Sequence, residues 1–387
     1  MKILIAGSDI NAKLLASYLK IEDNSNDIYI TTDEESSDNS YTPIRIKEND
    51  IPSICDFVKY NQIEFTIVTS SMAIINGIAD EFKKESFPVF APASESARVT
   101  FFNGIAKKIM YKLKIPTVRF GIFDRENLAL DYVRNSKFPV SVVNDFNLLS
   151  RFNITYNSFS KAKAGIQKIF EEGNNKIVIE NYLDEESIYM YFVTDGYNAL
   201  PLTSVERLYG DKYTIAMSPS GKVTNKITAD ILQRAVYPLL DDIIKYADMY
   251  KGILGVRFKI RNGQFFISEF YNGFESIDFQ TFLPVIDDNL LDIFYEASTN
   301  GLNESRNFIK TSNNYSFTIS VDKSEIEEID GEEEFILIED SQRYVITSSA
   351  STLNGARTKL FDYLQMIIRR ETFDKIMQTS LQKELKI

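Results

Sequence analysis

The chain predicts a mixed α/β and α+β protein, on three observations. Residues 1–91 alternate apolar strand-like runs with helical spacing, the signature of a parallel sheet covered on both faces. Further on, hairpin signals appear at Asp195-Gly196 and at Asn262-Gly263. The last stretch carries three more strands and an amphipathic helix. A length of 387 residues fits two or three domains.

The elements follow in order. Lys2–Gly7 is a buried strand, and Asn11–Lys20 is helical with Leu14, Leu15, Tyr18 and Leu19 on one side. Short strands recur at Ile28–Thr32, Ile44–Ile46, Phe65–Thr69 and Val89–Ala91, with helices at Ile51–Asn61 and Ile74–Glu85. The first βα turn, Ala6–Ile10, lacks the full G-x-G-x-x-G, so no dinucleotide site is expected there. Phe101–Leu113 and Leu128–Asn135 are helices, and Phe138–Val143 is a strand. A helix then runs from Phe159 to Glu172, followed by a buried strand at Lys176–Glu180.

Tyr189–Val193 and Ala199–Val205 pair as a hairpin. Asp230–Tyr250 is the longest expected helix, bent at Pro238. Gly252–Gln280 is a second hairpin, whose returning strand ends at Glu269-Phe270. Glu269 is either a metal ligand over a groove or a strand residue facing water. Asn300–Asn314 is a connection. Tyr315–Val321, Glu334–Ile338 and Tyr344–Ser348 are strands, Leu353–Arg370 is a helix, and Glu325–Glu333 is an acidic, solvated loop.

Composition narrows the chemistry. A net charge of −12 argues against nucleic acid or an anionic membrane as partner. No apolar run approaches the ~18 residues of a membrane span. The opening MKILIAG is too short an apolar run for a signal peptide. With Cys55 as the single cysteine, a cytoplasmic location is expected. The absence of histidine excludes imidazole bases and imidazole metal sites. Carboxylates, Lys, Arg, Tyr and Ser remain, which suffice for phosphoryl transfer with Mg2+.

Several segments together resemble one family. Phe65–Phe82, Val89-Phe90-Ala91-Pro92, Ile115-Pro116-Thr117, Lys176–Gly196, Ile267–Phe270, Gln280 and Thr352–Ala356 fall in the order and spacing of its motifs. The chain resembles phosphoribosylamine–glycine ligase (glycinamide ribonucleotide synthetase), a purine-biosynthesis family of the ATP-grasp superfamily. The resemblance implies a Rossmann-like N-domain over 1–100 and an ATP-grasp domain over 101–300, with a small lobe at about 118–205. It also implies a small α+β C-terminal domain over 301–387. In the family, ATP phosphorylates the glycine carboxylate and the amine of phosphoribosylamine attacks the acyl phosphate.

The resemblance also marks departures. The family's K-A-D-G-L-A-A-G-K-G loop reads Val143–Phe152 here. Val143 replaces its leading lysine, and Phe146, Ser150 and Phe152 replace its glycines. Arg151 is the cation retained. Asn103 stands at a second phosphate lysine, while Lys107 matches a later family lysine. A long glycine-rich loop is shortened to Gly210–Met217, and Tyr271 and Gly273 replace an Asn ligand and an Arg. The nucleotide hinge is better kept, at Glu180, Tyr182 and Leu183, with Glu186 placed to hold ribose. Equally, Ile177–Leu183 is readable as a core strand with a polar end.

Glu269 is the candidate metal residue, and Arg257 and Lys259 on the neighbouring strand are candidates to neutralise it instead. The expected function is a divergent, non-catalytic binding or scaffold protein with a nucleotide or a protein as partner. The alternative is an active ATP-dependent carboxylate–amine ligase. ATP with Mg2+ or Mn2+ is the cofactor set in the active case, and none is needed otherwise. Phe146, Leu148, Leu149 and Phe152 are expected to fill the groove with apolar bulk.

Overall fold

The computed structural model describes the whole chain except residues 37–38, 147–152, 174, 275, 303–307, 328–334, 340–341 and 385–387, with backbone alone at 276, 338–339 and 381–384. Its first sheet is parallel. Strands β1 (Lys2–Ala6), β2 (Asp27–Ile30), β3 (Thr42–Pro43), β4 (Phe65–Val68) and β5 (Val89–Phe90) lie in the order β3-β2-β1-β4-β5. Ile3, Ile5, Ile67 and Phe90 face one side and Leu4, Ala6 and Val68 the other, so each face buries a separate apolar cluster. Side-chain caps fix the helix starts: Asp9 accepts from the Ala12 amide, and Asp50 from the Ser53 amide.

A second sheet is small and antiparallel. It holds β6 (Phe120–Phe123), β7 (Val140–Asn144), β8 (Asn153–Tyr156) and β9 (Ile177–Asn181) in the order β6-β9-β7-β8. Helices Glu126–Arg134 and Phe159–Glu171 cover one face. Ala129, Val133, Val140, Val142, Ile166 and Ile179 form its own core. This is the separate small lobe that a clamp requires.

The third sheet has eight strands. They are β10 (Ile188–Asp195), β11 (Ala199–Tyr209), β12 (Tyr213–Ser218), β13 (Lys251–Arg261), β14 (Gln264–Asn272), β15 (Tyr315–Asp322), β16 (Ile336–Glu339) and β17 (Arg343–Ala350). Their order is β14-β13-β10-β11-β12-β15-β17-β16. The β13–β14 turn is Asn262-Gly263, with φ of 53° and 72°, the left-handed pair a two-residue hairpin requires. Strands on both sides of the boundary expected near residue 300 belong to this one sheet, through the β12–β15 ladder. Gln280 reinforces that join by donating to the carbonyls of Ile336 (2.8 Å) and Val345 (2.9 Å). Helix Leu290–Ser298 ties the parallel sheet in, with Phe294 stacked on Phe90 at 4.5 Å.

Three local expectations are corrected. Gly210–Met217 is not all loop: Tyr213–Ser218 is a strand, because its apolar residues alternate and β15 supplies the partner. The long helix begins at Asn225, where Thr224 caps it, and ends at Tyr246 rather than Tyr250. Its irregularity is a π-turn at Leu232–Val236, just before Pro238, whose missing N–H cannot close an ordinary turn. Glu325 is not solvated either. It is buried against Lys212, at 2.5 Å, and the Thr372 hydroxyl, which hold its carboxyl down at about 2. Residues 328–333 of that expected loop lie outside the described residues.

Candidate functional site

A groove of about 350 Å³ opens between the small lobe and the eight-stranded sheet. The end of β9 and the hinge that follows it, Glu180–Leu183, form one wall, and Arg257, Lys259, Phe266 and Ser268 form the facing wall. Ser141, Thr155 and Asn153 close the small-lobe side. The sequence therefore placed the hinge and the second hairpin against each other correctly.

Charged side chains in and beside this groove pair with neighbours from the chain itself. Glu180 accepts from Lys107 at 2.6 Å, and the Lys107 side chain is 1% exposed. Lys107 also donates to the Thr117 hydroxyl at 2.8 Å. Burying a lysine this deep is costly unless its charge is paired and its donors are bonded. Glu269 sits directly across the β13–β14 ladder from Arg257, at 3.3 Å. The neutralising partner expected for Glu269 is thus Arg257 and not Lys259. Lys259 turns to the hinge: its ammonium donates to the Leu183 carbonyl at 2.5 Å and lies 5.0 Å from the centre of the Tyr182 ring. Burial, with Arg257 nearby, holds the Lys259 pKa below the ordinary lysine value.

Deeper along the sheet lies a polar cluster that the sequence did not announce. Arg207 on β11 makes two contacts with buried Asp278, at 2.5 and 2.6 Å. Tyr191 donates to the same carboxylate. The Arg207 guanidinium lies over the Tyr189 ring at 4.0 Å, and the Tyr189 and Tyr209 hydroxyls meet at 3.1 Å. Burial opposes the charge on Arg207, yet Asp278 and the tyrosines raise its pKa well above the usual value. The available signal was the i, i+2 spacing of Arg207 with Tyr209 and of Tyr189 with Tyr191, which puts each pair on one strand face.

The positions where the resemblance places phosphate lysines are built differently. Val143 is a buried strand residue of β7, paired with Asn153 and Val178. Asn103 is buried and donates to the Asn144 carbonyl at 2.8 Å. Asp145 accepts from the Gly104 amide at 2.6 Å and pairs with Lys176 at 2.9 Å. The first turn of helix Asn103–Lys112 is therefore closed by the chain's own carboxylate. A β-carbon at Gly104 would lie 2.7 Å from the Asp145 oxygen, so a larger residue there would have to displace that side chain.

The remaining predicted residues fall as follows. Tyr182 and Leu183 line the groove, whereas Glu186 points to Lys222 at 2.5 Å, at a partly exposed site with Glu206. Arg151, Leu148, Leu149 and Phe152 lie outside the described residues. Phe146 does not fill the groove: it stacks on Phe102 at 5.0 Å, against the core of the parallel domain. That neighbouring aromatic offers it a nearer burial site than the cleft does. Among the described residues, no three acidic or cysteine side chains gather into a cation cage, and no helix is long and apolar enough to cross a membrane.

A small antiparallel lobe closing on a large antiparallel sheet, with a hinge strand between, defines an ATP-grasp protein. Two successive family models match, "Phosphoribosylglycinamide synthetase, N domain" over residues 1–100 and "Phosphoribosylglycinamide synthetase, ATP-grasp (A) domain" over 103–275. The chain belongs to this synthetase family, also called phosphoribosylamine–glycine ligase. The phosphoribosylamine–glycine ligase of Caldanaerobacter subterraneus subsp. tengcongensis is 25% identical over 319 residues, 78% of this chain and 75% of that one. That of Haemophilus influenzae is 25% identical across 67% of this chain and 64% of its own length. The match to the Escherichia coli K12 protein covers 52% of that relative, about half its length. Among solved structures, the Thermotoga maritima phosphoribosylamine–glycine ligase superposes with a TM-score of 0.75 at 15% identity, covering 95% of this chain and 97% of that one. Biotin carboxylase from Campylobacter jejuni gives 0.71 at 14% identity, covering 95% and 91%.

Proposed function

We propose that this chain is a non-catalytic binding member of the purine-biosynthesis family to which it belongs. One observation carries the reading. Both positions where the resemblance calls for phosphate lysines hold residues with structural duties, Val143 in a strand core and Asn103 on the Asn144 carbonyl. Among the described residues, the groove's donor set does not fit a triphosphate. Lys107 and Arg257 are matched by Glu180 and Glu269, and Lys259 covers the Leu183 carbonyl.

A charge-assisted contact is worth roughly 1.5–3 kcal/mol, so losing two weakens triphosphate binding by about two orders of magnitude or more. Calorimetric titration with ATP and Mg2+ tests this. A dissociation constant no tighter than about 0.1 mM is expected, and a low-micromolar value would overturn the reading.

A second reading, an active ATP-dependent carboxylate–amine ligase with Mg2+ or Mn2+, is favoured by two carboxylates. Glu180 stands on the hinge, and Glu269 on β14 holds the position proposed for a metal ligand. A cytoplasmic location fits either reading.

A further inference from the structure

We propose a second binding surface, outside the groove: the cationic face at Lys108, Lys114 and Arg119, with the free edge of β6, docks an extended acidic peptide of a partner protein. The inference goes beyond the proposed function and does not depend on what the groove binds.

The sequence makes this face unusual for the chain. Residues Phe101–Phe123 include five cations, Lys107, Lys108, Lys112, Lys114 and Arg119, and no carboxylate, in a protein of net charge −12. Lys107 is paired with Glu180, and Lys112 with Asp242 at 2.7 Å. Lys108, Lys114 and Arg119 are exposed and line one concavity of about 810 Å³, whose described lining includes no acidic side chain. Its floor is apolar, from Met110, Ile115, Pro116 and Phe120, and Tyr111 stands beside it 80% exposed. A local cationic field on an acidic protein selects an anionic partner and repels the same cationic face of a second copy, so two copies do not pair face to face here.

The second observation is the strand beside it. β6 continues from this face and is the end strand of its sheet, paired with β9 alone. An end strand presents backbone N–H and C=O groups on its outer side, which an extended segment can pair. A peptide alternating acidic and apolar residues meets both demands. One set of side chains reaches the three cations and the other covers the floor. A small anion fits less well, because one continuous stretch, 108–120, lines the concavity and nothing described faces it.

The test uses the full chain and a fluorescein-labelled decapeptide of alternating Glu and Val, read by anisotropy. Saturable binding is expected, weakening with salt, and lost at least tenfold in the triple variant Lys108→Glu, Lys114→Glu, Arg119→Glu. All three sites are exposed, and circular dichroism checks that the variant is folded. Independently of any variant, bound peptide slows hydrogen exchange at the Phe120–Phe123 amides of the native chain. Four results would each overturn the proposal: no binding, equal binding by the variant, binding without slowed exchange at β6, or equal binding of a single-stranded oligonucleotide.

Discussion

The hinge wall of the groove and the positions where the resemblance places phosphate lysines are held together by different means. At the hinge, Glu180, Tyr182 and Leu183 sit at the end of a strand whose position is set by the β6–β9–β7 ladder. Val143 is fixed by the same ladder, but the polar groups beside it are set by side chains, Asn103 on the Asn144 carbonyl and Asp145 on the Gly104 amide. A backbone-built wall keeps its shape through extensive sequence change, because the ladder constrains it whatever the side chains are. A side-chain-built wall loses its chemistry with single substitutions. On the proposed function, the family groove persists here as a shape while its charges differ from those the resemblance implies. The hinge wall is tied to the body by the buried Lys107–Glu180 pair, and the Asn103–Asp145 site by the cap on Gly104 and the Lys176 pair.

The largest expected effect follows from that contrast. Lys107→Ala leaves Glu180 buried without its cation. Breaking a buried pair on one side costs about 3–5 kcal/mol. Urea unfolding of the variant should show a loss of unfolding free energy of that size, seen as a lower midpoint with an unchanged slope. A shift below about 1 kcal/mol would mean that the hinge wall is held by its backbone ladder alone.

Next in size is the Asn103–Asp145 site. Asp145→Ala removes the acceptor for the Gly104 amide and the partner of Lys176. Losing a helix cap of this kind costs about 0.5–2 kcal/mol. The same variant exposes amides that attract anions, so sulfate should stabilise it more than it stabilises the native chain. Thermal melts with and without sulfate separate the two effects. Equal sulfate responses would show that this site has no anion-binding character.

These two sites also show what the sequence could and could not reveal. The parallel sheet and both hairpins were legible, because strand alternation and the Asn262-Gly263 turn are local signals, whereas the facing of the Glu180 strand toward the β13–β14 hairpin came from the family resemblance. The Arg257–Glu269 pairing was legible as an option, and the β13–β14 register decided for it over Lys259. The Lys107–Glu180 pair was not legible, since it joins a helix to a strand far along the chain. Nor was the Arg207–Asp278 cluster, because Asp278 stands in an apolar helical run and only the packed sheet shows its partner. The burial of Glu325 was missed for the same reason: an acidic run looks solvated until Lys212 and Thr372 arrive from elsewhere. Continuity of the large sheet past residue 300 depends on the β12–β15 pairing, which no local pattern encodes.

A smaller change sharpens the comparison at the hinge itself. Lys259→Met removes the donor to the Leu183 carbonyl and keeps an apolar stem beside Tyr182. The freed carbonyl becomes available to a ligand amine. One neutral hydrogen bond is worth about 1 kcal/mol, so adenosine affinity should rise by roughly fivefold. The gain should be the same for adenosine and for ATP, because the substitution adds nothing at the Asn103–Asp145 site. A gain confined to ATP would show that phosphate is held somewhere along this wall.

The smallest effect is one of pH, and it isolates Lys259 as a charge. Burial, reinforced by Arg257, lowers its pKa in the folded chain, against Glu185, Glu180 and Asp184, which favour the cation. The unfolded chain then binds more protons at this site just below the ordinary lysine value, 10.5. Stability at this site therefore rises as pH increases toward that value, and is flat below the folded pKa. Other groups titrate in the same range, including buried Tyr189, whose raised pKa acts in the opposite sense. The informative quantity is thus the difference between the native chain and Lys259→Met. Unfolding free energies measured from pH 8 to 10 should converge, with any advantage of the methionine variant shrinking as pH rises. A difference that stays constant over that range would show that Lys259 is as well solvated when folded as when unfolded. The hinge would then be open to ligand without any substitution.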